Sequence, residues 1–328
     1  MPPEVWLFTD DLDRAFENTA EQRVRTAAFF DACRQLTRTI PQLRFRTAIR
    51  PNIRTILRLH SEALSHVEQY CAELSWTEED VLRLLARRVE GYLARTGQSG
   101  AFAGNDGLEA HARAKALVAL VFESPVPWGS AQRPAHVPLY TLAQHRPRWV
   151  IELCRIAARR AHKLGAPKIA PQHYFDELAA FGRRRLEDLT AEFRDQCPRV
   201  QEILDGFRNQ REQYRTDELL GLISKRIASH VGEIRIAGVA GEAGHRSVAS
   251  FLFQIGFLFG RRDFDDGTYE HISYVDQPSL LLSRTDMDSG LSWEIPPTYR
   301  QALNLRTVEG FERPKNTKPS RPRRRIVR

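Results

Sequence analysis

The apolar and polar positions at the start of the chain predict alternating strands and a helix. Val5–Phe8 is a short, wholly apolar run, which is typical of a strand covered on both faces inside a parallel sheet. Apolar residues recur at helical spacing from Ala20 to Arg38, and Leu43–Ile49 alternates like a second strand. Strand, helix and strand in this order predict one βαβ unit.

The middle of the chain has helical periodicity interrupted by two irregular segments. Thr77 and Asp80 form a helix start resembling a capping box, and that helix ends near Gly97. The glycine-rich stretch 98–107 predicts a flexible connector, and residues 124–147 are rich in proline. Helices are predicted at Leu108–Phe122, at Arg148–Lys163 and from Pro171 to Phe193.

The pattern changes after Pro198 to shorter segments. Three helices are predicted, followed by three strand-like runs: Arg199–Phe207, Thr216–His230, Arg246–Phe259, Tyr269–Val275, Ser279–Ser283 and Leu291–Ile295. Three helices followed by a β-hairpin is the order of a winged-helix domain. The second half of Arg246–Phe259 is almost wholly apolar, which favours protein contact or autoinhibition over DNA reading.

Composition and charge narrow the protein class. A length of 328 residues predicts two or three domains. The stretch from Phe311 onward contains eight Arg or Lys residues and one Glu, so most of the net charge of +8 lies in this tail. A basic, proline-rich tail is predicted to be disordered. One interpretation is that the tail binds nucleic acid or an acidic partner through Arg321, Arg323, Arg324 and Arg325. The alternative is that it only increases the solubility of the chain.

Several other classes are not supported by the sequence. No apolar run is long enough to span a membrane, and no signal peptide is evident, so a cytoplasmic location is expected, with no membrane partner. The four cysteines are scattered and are interpreted as buried thiols. The metalloprotease pattern H-E-x-x-H and the hydrolase pattern G-x-S-x-G are both absent.

The candidate chemistry lies directly after the first strand. Asp10 and Asp11 follow its carboxyl end, where a carboxylate is well placed to face bound Mg²⁺. In this interpretation Asp10 holds the metal through its water shell and Asp11 orients or deprotonates an attacking water. The alternative is that Asp10, Asp11 and Asp13 form a solvated turn.

The longer string VWLFTDDLDR, Val5–Arg14, resembles the extended Walker B element of bacterial KAP-like and STAND-type P-loop ATPases. Other segments resemble the same family in order and spacing: Ile49–Arg50, Leu74–Trp76 with the helix Val81–Arg88, Arg146–Leu153 and Trp293–Leu303. The resemblance implies that Arg50 is a sensor beside the terminal phosphate and that Arg148 reaches back to the nucleotide.

The sequence departs from the family at the phosphate-binding loop. No G-x-x-x-x-G-K-[ST] occurs, and Met1 stands four residues before the Walker B strand. Without the loop the phosphates of ATP have no cradle. Three explanations remain open: a misplaced start codon or broken gene, a partner chain that supplies the loop, and a remnant kept for its C-terminal half. Binding of ATP and Mg²⁺ is therefore expected only if another segment or chain supplies the loop. A protein partner is expected to cover the exposed sheet.

The expected fold class is an α/β remnant of a P-loop NTPase sheet, followed by a mainly α-helical lid and a C-terminal winged-helix-like domain. The expected division is a partial ATPase core at 1–97, a linker at 98–107, a helical lid at 108–197, a winged-helix-like domain at 198–308 and a tail at 309–328. The expected function is a nucleotide-dependent switch or regulatory module, in defence or signalling, that is related to ATPases without hydrolysing ATP alone. The alternative is a non-enzymatic scaffold or nucleic-acid-associated protein that uses the winged-helix region and the tail.

Overall fold

The chain has a mixed α/β architecture of helices and small sheets. The computed structural model describes residues 3–13, 16–61, 64–102, 107–128, 131–265, 267–282, 288 and 290–307. The chain divides into two compact units, and each unit is formed by segments that are not contiguous in sequence. Unit 1 comprises Met1–Glu73, Leu186–Ile295 and Leu305–Arg328, and unit 2 comprises Leu74–Arg185 and Pro296–Asn304. The basic tail with Arg321, Arg323, Arg324 and Arg325 lies outside the described residues.

The predicted βαβ unit is confirmed at the start of unit 1. Its elements, with the helix that follows, are β1 (Val5–Thr9), α1 (Ala20–Thr39), β2 (Leu43–Thr47) and α2 (Pro51–His60). The two strands are parallel and in register from Val5 opposite Leu43 to Thr9 opposite Thr47. Helix α1 starts where the Thr19 hydroxyl accepts a hydrogen bond from the Gln22 N–H.

The strand prediction for β1 is confirmed, but the prediction that both faces are covered is wrong. All four apolar side chains are exposed, from 39% for Trp6 to 78% for Phe8. The described residues place only β2 beside β1 in this sheet. The apolar sequence of β1 suits a buried strand, but among the described residues its side chains are exposed.

Unit 2 is mainly helical. Its elements are α3 (Glu78–Arg95), α4 (Ala110–Val121), β3 (Val126–Trp128), β4 (Ala131–Arg133), α5 (His136–Leu142), α6 (Pro147–Lys163), α7 (Pro171–Phe175) and α8 (Leu178–Phe193). The last residues of α8, from Leu186, belong to unit 1. The predicted capping box is confirmed, because Thr77 and Asp80 exchange both hydrogen bonds. The core of unit 2 forms from one face of each longer helix and includes Leu82, Leu85, Leu117, Leu153 and Phe181.

Two predictions for this part of the chain are wrong in detail. The proline-rich segment 124–147 contains the antiparallel pair β3 and β4 as well as α5, so it is not irregular. The single long helix from Pro171 is two helices. The N–H of Glu177 bonds to the carbonyl of Tyr174, three residues back, and this tight turn separates α7 from α8.

The second half of unit 1 combines short helices with a four-stranded antiparallel sheet. Its elements are α9 (Val200–Asp205), β5 (Gln213–Arg215), α10 (Thr216–Leu222), a π-helical segment (Ile223–Ala228), α11 (Ser229–Val231), α12 (His245–Gln254), β6 (Phe259–Asp263), β7 (Tyr269–Ile272) and β8 (Ser292–Glu294). The strand order is β5-β8-β6-β7. Aromatic rings fill the core, with Phe253 edge-on to Trp293 at 5.3 Å. Helix α13 (Pro297–Arg300) belongs to unit 2.

Two further predictions, for a helix end and for a strand, are wrong in this half of unit 1. The helix expected to run to Phe259 ends at Gln254, because Gly256 takes φ = 74° and the Phe257 N–H bonds to the Leu252 carbonyl. Residues 279–282 of the predicted strand Ser279–Ser283 form turns, with Leu281 at φ = 64°; Ser283 lies outside the described residues. The strand predicted at Leu291–Ile295 is confirmed as β8.

Candidate functional site

The carboxyl ends of β1 and β2 meet at one edge of their sheet. The Ala48 N–H donates to the Thr9 carbonyl at 3.0 Å, so the two strands are still aligned where they end. Asp10 and Asp11 follow β1, and Arg50 lies three residues beyond β2 as the residue preceding α2. Three of the predicted site residues are therefore presented at the same edge, which is where parallel sheets bind ligands.

Asp10 and Asp11 form an open turn at this edge. Both are exposed, and the Asp11 N–H donates to Asp10 Oδ1 at 2.9 Å. Asp11 has φ = 56°, a left-handed conformation that aspartate tolerates better than most residues. This turn directs the chain away from β1 and leaves both carboxylates accessible.

Asp13 is buried, in contrast to its two acidic neighbours. Its side chain is 8% exposed. Asp13 Oδ2 accepts one hydrogen bond from the Arg50 backbone N–H at 2.6 Å and another from Arg50 Nε at 3.1 Å. The Arg50 guanidinium also donates to the Asp13 backbone carbonyl. Asp13 thus places negative charge at the N-terminus of α2, where the helix dipole favours it.

Glu192 of α8 is the second acidic partner of Arg50. The Arg50 Nη1 group donates to Glu192 Oε1, so one guanidinium joins two carboxylates from distant parts of the chain. Burial of the guanidinium alone would lower the pKa of Arg50. The carboxylates of Glu192 and Asp13 outweigh burial and raise that pKa above its usual value.

The same loop is fixed at a further point. Gln196 is 4% exposed, and its side-chain amide donates to the Phe16 carbonyl at 2.7 Å. Asp13 and Phe16 are therefore both tied to groups outside the loop. The interpretation of Asp10, Asp11 and Asp13 as one solvated turn fits Asp10 and Asp11 and is wrong for Asp13.

Arg148 belongs to unit 2. It lies in the first turn of α6 and is exposed. Within the described part of the chain it forms no ion pair. Its neighbour Arg146 instead stacks on the Trp149 ring at 4.4 Å, and Arg185 stacks on the same ring at 4.9 Å.

The edge presents two accessible carboxylates. Mg²⁺ in phosphoryl-transfer sites is commonly held by one or two carboxylates together with phosphate oxygens and water, and Asp10 and Asp11 supply two accessible carboxylates. Across the described ranges, no group of three or more His, Cys, Asp or Glu side chains is arranged to hold a metal ion. The remaining ligands would have to come from a bound phosphate and from water.

Sequence reasoning missed the roles of Asp13 and Glu192. Asp13 is part of the quoted motif, but nothing in its spacing indicates that it faces inward and caps α2. Glu192 lies 142 residues from Arg50 in sequence, and its surroundings in α8 resemble those of any amphipathic helix. Only the tertiary structure brings these two carboxylates to Arg50.

No helix within the described ranges is both long and apolar enough to cross a membrane. Comparison of the chain with families of known proteins, with curated proteins and with solved structures gave no match.

Proposed function

We propose that this chain supplies the Walker B half of a STAND- or KAP-like ATP site and acts as a nucleotide-dependent switch or regulatory module. The observation that supports the proposal is the common edge at which Asp10, Asp11 and Arg50 leave two parallel strands. The phosphate-binding loop is contributed by another segment or chain, because this sequence has no G-x-x-x-x-G-K-[ST]. The chain alone does not hydrolyse ATP.

Each predicted residue has a defined role in this proposal. Asp10 would hold Mg²⁺ through its water shell, and Asp11 would orient or deprotonate the attacking water. The ion would supply positive charge against the phosphates. Arg50 is proposed to contact the terminal phosphate. For Arg148, which belongs to unit 2, contact with the nucleotide stays a prediction from the resemblance.

The contacts of Arg50 suggest how the switch operates. Its guanidinium is paired with Asp13 and Glu192, so it cannot bind phosphate fully without releasing at least one carboxylate. Glu192 is the more exposed of the two, at 27% against 8% for Asp13. Leaving Glu192 unpaired therefore costs less, because water can solvate its carboxylate. Exchange of Glu192 for phosphate would free the end of α8 and so couple ATP binding to a change in the protein.

The exposed β1–β2 sheet supports a protein partner. The partner is proposed to carry the phosphate-binding loop and to cover Trp6 and Phe8. A photo-crosslinking residue placed at Phe8 tests this directly. The captured polypeptide should contain G-x-x-x-x-G-K-[ST], and capture should fail with the crosslinker at Val24, an apolar site on α1 of comparable exposure. Capture only of proteins without that loop would contradict the proposal.

The helical part of unit 2 is proposed to be the lid of this ATPase, and the second half of unit 1 to be its winged-helix-like domain. Supporting the latter, α12 is followed by the antiparallel hairpin of β6 and β7. The helix α12 buries Val248, Phe251 and Leu252, which favours a structural or protein-contact role over reading DNA.

The second candidate function is a non-enzymatic scaffold or nucleic-acid-associated protein. It is favoured by the same helix and hairpin order and by the concentration of positive charge after Phe311. Salt-sensitive DNA binding should disappear when the residues after Phe311 are deleted. Binding that survives this deletion would move the contact to the winged-helix-like region.

A further inference from the structure

A groove in unit 1 lies between α1 and the end of α2, and its volume is about 560 Å³. Ala20, Val24, Ala27 and Ala28 form an apolar wall along α1. Arg23 of α1 and His60, the last residue of α2, both line the same groove. A volume of this size is within the range of small-molecule sites.

Arg23 is fixed in place but retains donors for a ligand. Its Nη1 group donates to the Asn18 carbonyl at 2.7 Å and to Asn18 Oδ1 at 3.0 Å. No carboxylate of the described residues pairs with it, and its Nε and Nη2 groups make no hydrogen bond within that part of the chain. Among the described residues, Arg23 therefore has no acidic partner and keeps two donor groups, Nε and Nη2, that make no hydrogen bond.

The backbone of Gly238 lies close to both Arg23 and Asn18. It has φ = 84°, and a Cβ atom there would lie 3.0 Å from the Asn18 carbonyl oxygen and 3.3 Å from Arg23 Nη1. A side chain here would be strained by the positive φ and would press on Asn18 and Arg23. Arg23 is held between its own helix and this second segment before any ligand arrives.

His60 adds a second polar group to the groove. Burial and the positive charge of Arg23 lower the pKa of His60, so its imidazole is neutral at pH 7. It makes no hydrogen bond to the described residues. The remaining charged group in the groove is Asp31 of α1, which is neutralised by Arg34 at 2.7 Å and also accepts from Gln35.

We infer that this groove binds a small organic phosphate. The phosphate lies between the guanidinium of Arg23 and the imidazole of His60, and a compact apolar or aromatic body lies against Ala20, Val24 and Ala27. Guanidinium groups suit phosphate because their planar donors match two of its oxygens. The groove is larger than a bare phosphate ion, and such an ion would leave the apolar wall on α1 uncovered. This site is independent of the proposed nucleotide site.

The test follows the His60 imidazole by ¹H–¹³C NMR as the pH is varied, with phenyl phosphate, AMP or inorganic phosphate added at millimolar concentration. A bound phosphate should raise the pKa of His60 by about 0.5 or more, because a negative charge stabilises the imidazolium. Arg23→Gln should abolish this rise. Arg25→Gln is the matched control, because Arg25 is on the same helix but is 74% exposed and paired with Glu21, and it should retain the rise.

A larger effect of phenyl phosphate than of AMP identifies an aryl ester as the better ligand, and the reverse identifies a nucleotide; both support the inference. An equal effect of inorganic phosphate would overturn the assignment of an organic body. No rise with any probe, or the same rise in Arg23→Gln, would overturn the site. The Asp10→Ala, Asp11→Ala variant should behave as the wild type here, so failure of this inference is distinguishable from failure of the proposed function.

Discussion

Arg50 is bound to Asp13 through its backbone and its side chain at the same time. The backbone N–H and Nε of Arg50 both donate to Asp13 Oδ2, and the guanidinium returns to the Asp13 carbonyl. Asp13 therefore caps the start of α2 and neutralises the arginine that precedes it. This pair joins the loop after β1 to the loop after β2 and fixes the edge on which Asp10 and Asp11 stand.

Replacing Asp13 should destabilise unit 1. Asp13→Asn keeps the shape but removes the charge that opposes Arg50, so a loss of about 2 kcal/mol in the free energy of unfolding is expected. Chemical denaturation measures it. Asp10→Asn, at an exposed carboxylate that accepts only a local hydrogen bond, should change stability by less than about 0.5 kcal/mol. A loss of unfolding free energy in Asp13→Asn as small as that expected for Asp10→Asn would show that the Asp13–Arg50 pair contributes little to stability.

Gly182 is expected to tolerate no side chain. A Cβ atom there would lie 2.4 Å from the Thr298 carbonyl oxygen and 2.9 Å from the Ala302 Cβ. The approach is fixed further because the Thr298 hydroxyl donates to the buried Leu142 carbonyl at 2.7 Å. Gly182→Ala should therefore cost about 1–3 kcal/mol of unfolding free energy through overpacking.

Gly91 provides the matched control for this substitution. It lies inside α3, and a Cβ there would meet only the flexible end of Arg95 at 3.4 Å. Gly91→Ala should stabilise unit 2 by about 0.5–1 kcal/mol, since alanine is the better helix former. Thermal unfolding of both variants compares them. Unchanged stability in Gly182→Ala would mean that residues 296–304 do not pack as described.

The stability of unit 2 should depend on pH through His136. This residue is 3% exposed, and its Nε2 lies 3.3 Å from Glu78 Oε1. Burial lowers the pKa of His136 even though the carboxylate of Glu78 opposes the shift. As the pH falls below about 6.5, His136 takes up a proton in the unfolded chain before it does so in the folded chain. The free energy of unfolding therefore decreases as the pH falls from about 6.5 to the lower pKa of His136 in the folded chain.

The measurement is thermal unfolding of the wild type and of His136→Gln between pH 7.5 and pH 5. The wild type should lose stability faster than the variant as the pH is lowered. Because the other histidines are common to both proteins, their contributions cancel in the comparison. Parallel pH dependence in the two proteins would contradict a buried, neutral His136.

Phe8 should contribute to association and not to the stability of the chain. Its side chain is 78% exposed, so Phe8→Ser should alter the free energy of unfolding by less than about 0.5 kcal/mol. The same change should reduce self-association or dye binding to exposed apolar surface. Leu57, which is fully buried, is the contrasting position, where Leu57→Ala should cost about 2–5 kcal/mol. A large loss of stability in Phe8→Ser would show that the face of β1 is covered.

Local signals in the sequence predicted the local structure well. The apolar run of β1, the alternation of β2 and the Thr77–Asp80 cap each appear as predicted, because each depends on residues close together in the chain. Two errors in helix boundaries also have local causes, which the hydrophobic periodicity does not reveal. Gly256 ends α12 by taking a positive φ, and the turn at Glu177 divides an otherwise continuous helical pattern.

The candidate site was only partly predictable. Asp10, Asp11 and Arg50 follow the two predicted strands, so their common edge could be inferred from the βαβ order. The inward turn of Asp13 and its pairing with Arg50 depend on contacts that no spacing encodes, and Glu192 comes from a helix far along the chain. The groove beside Arg23 and His60 was not predicted either, because helix packing creates it.

The most direct test of the central claim is calorimetric titration of Mg-ATP into the chain alone and into its complex with the partner captured at Phe8. The proposed function predicts micromolar binding only by the complex, with loss of that binding in the Asp10→Ala, Asp11→Ala variant. Asp195→Ala, at another exposed carboxylate, should leave the binding intact. Micromolar binding by the chain alone, or binding by the complex that is indifferent to Asp10 and Asp11, would contradict it.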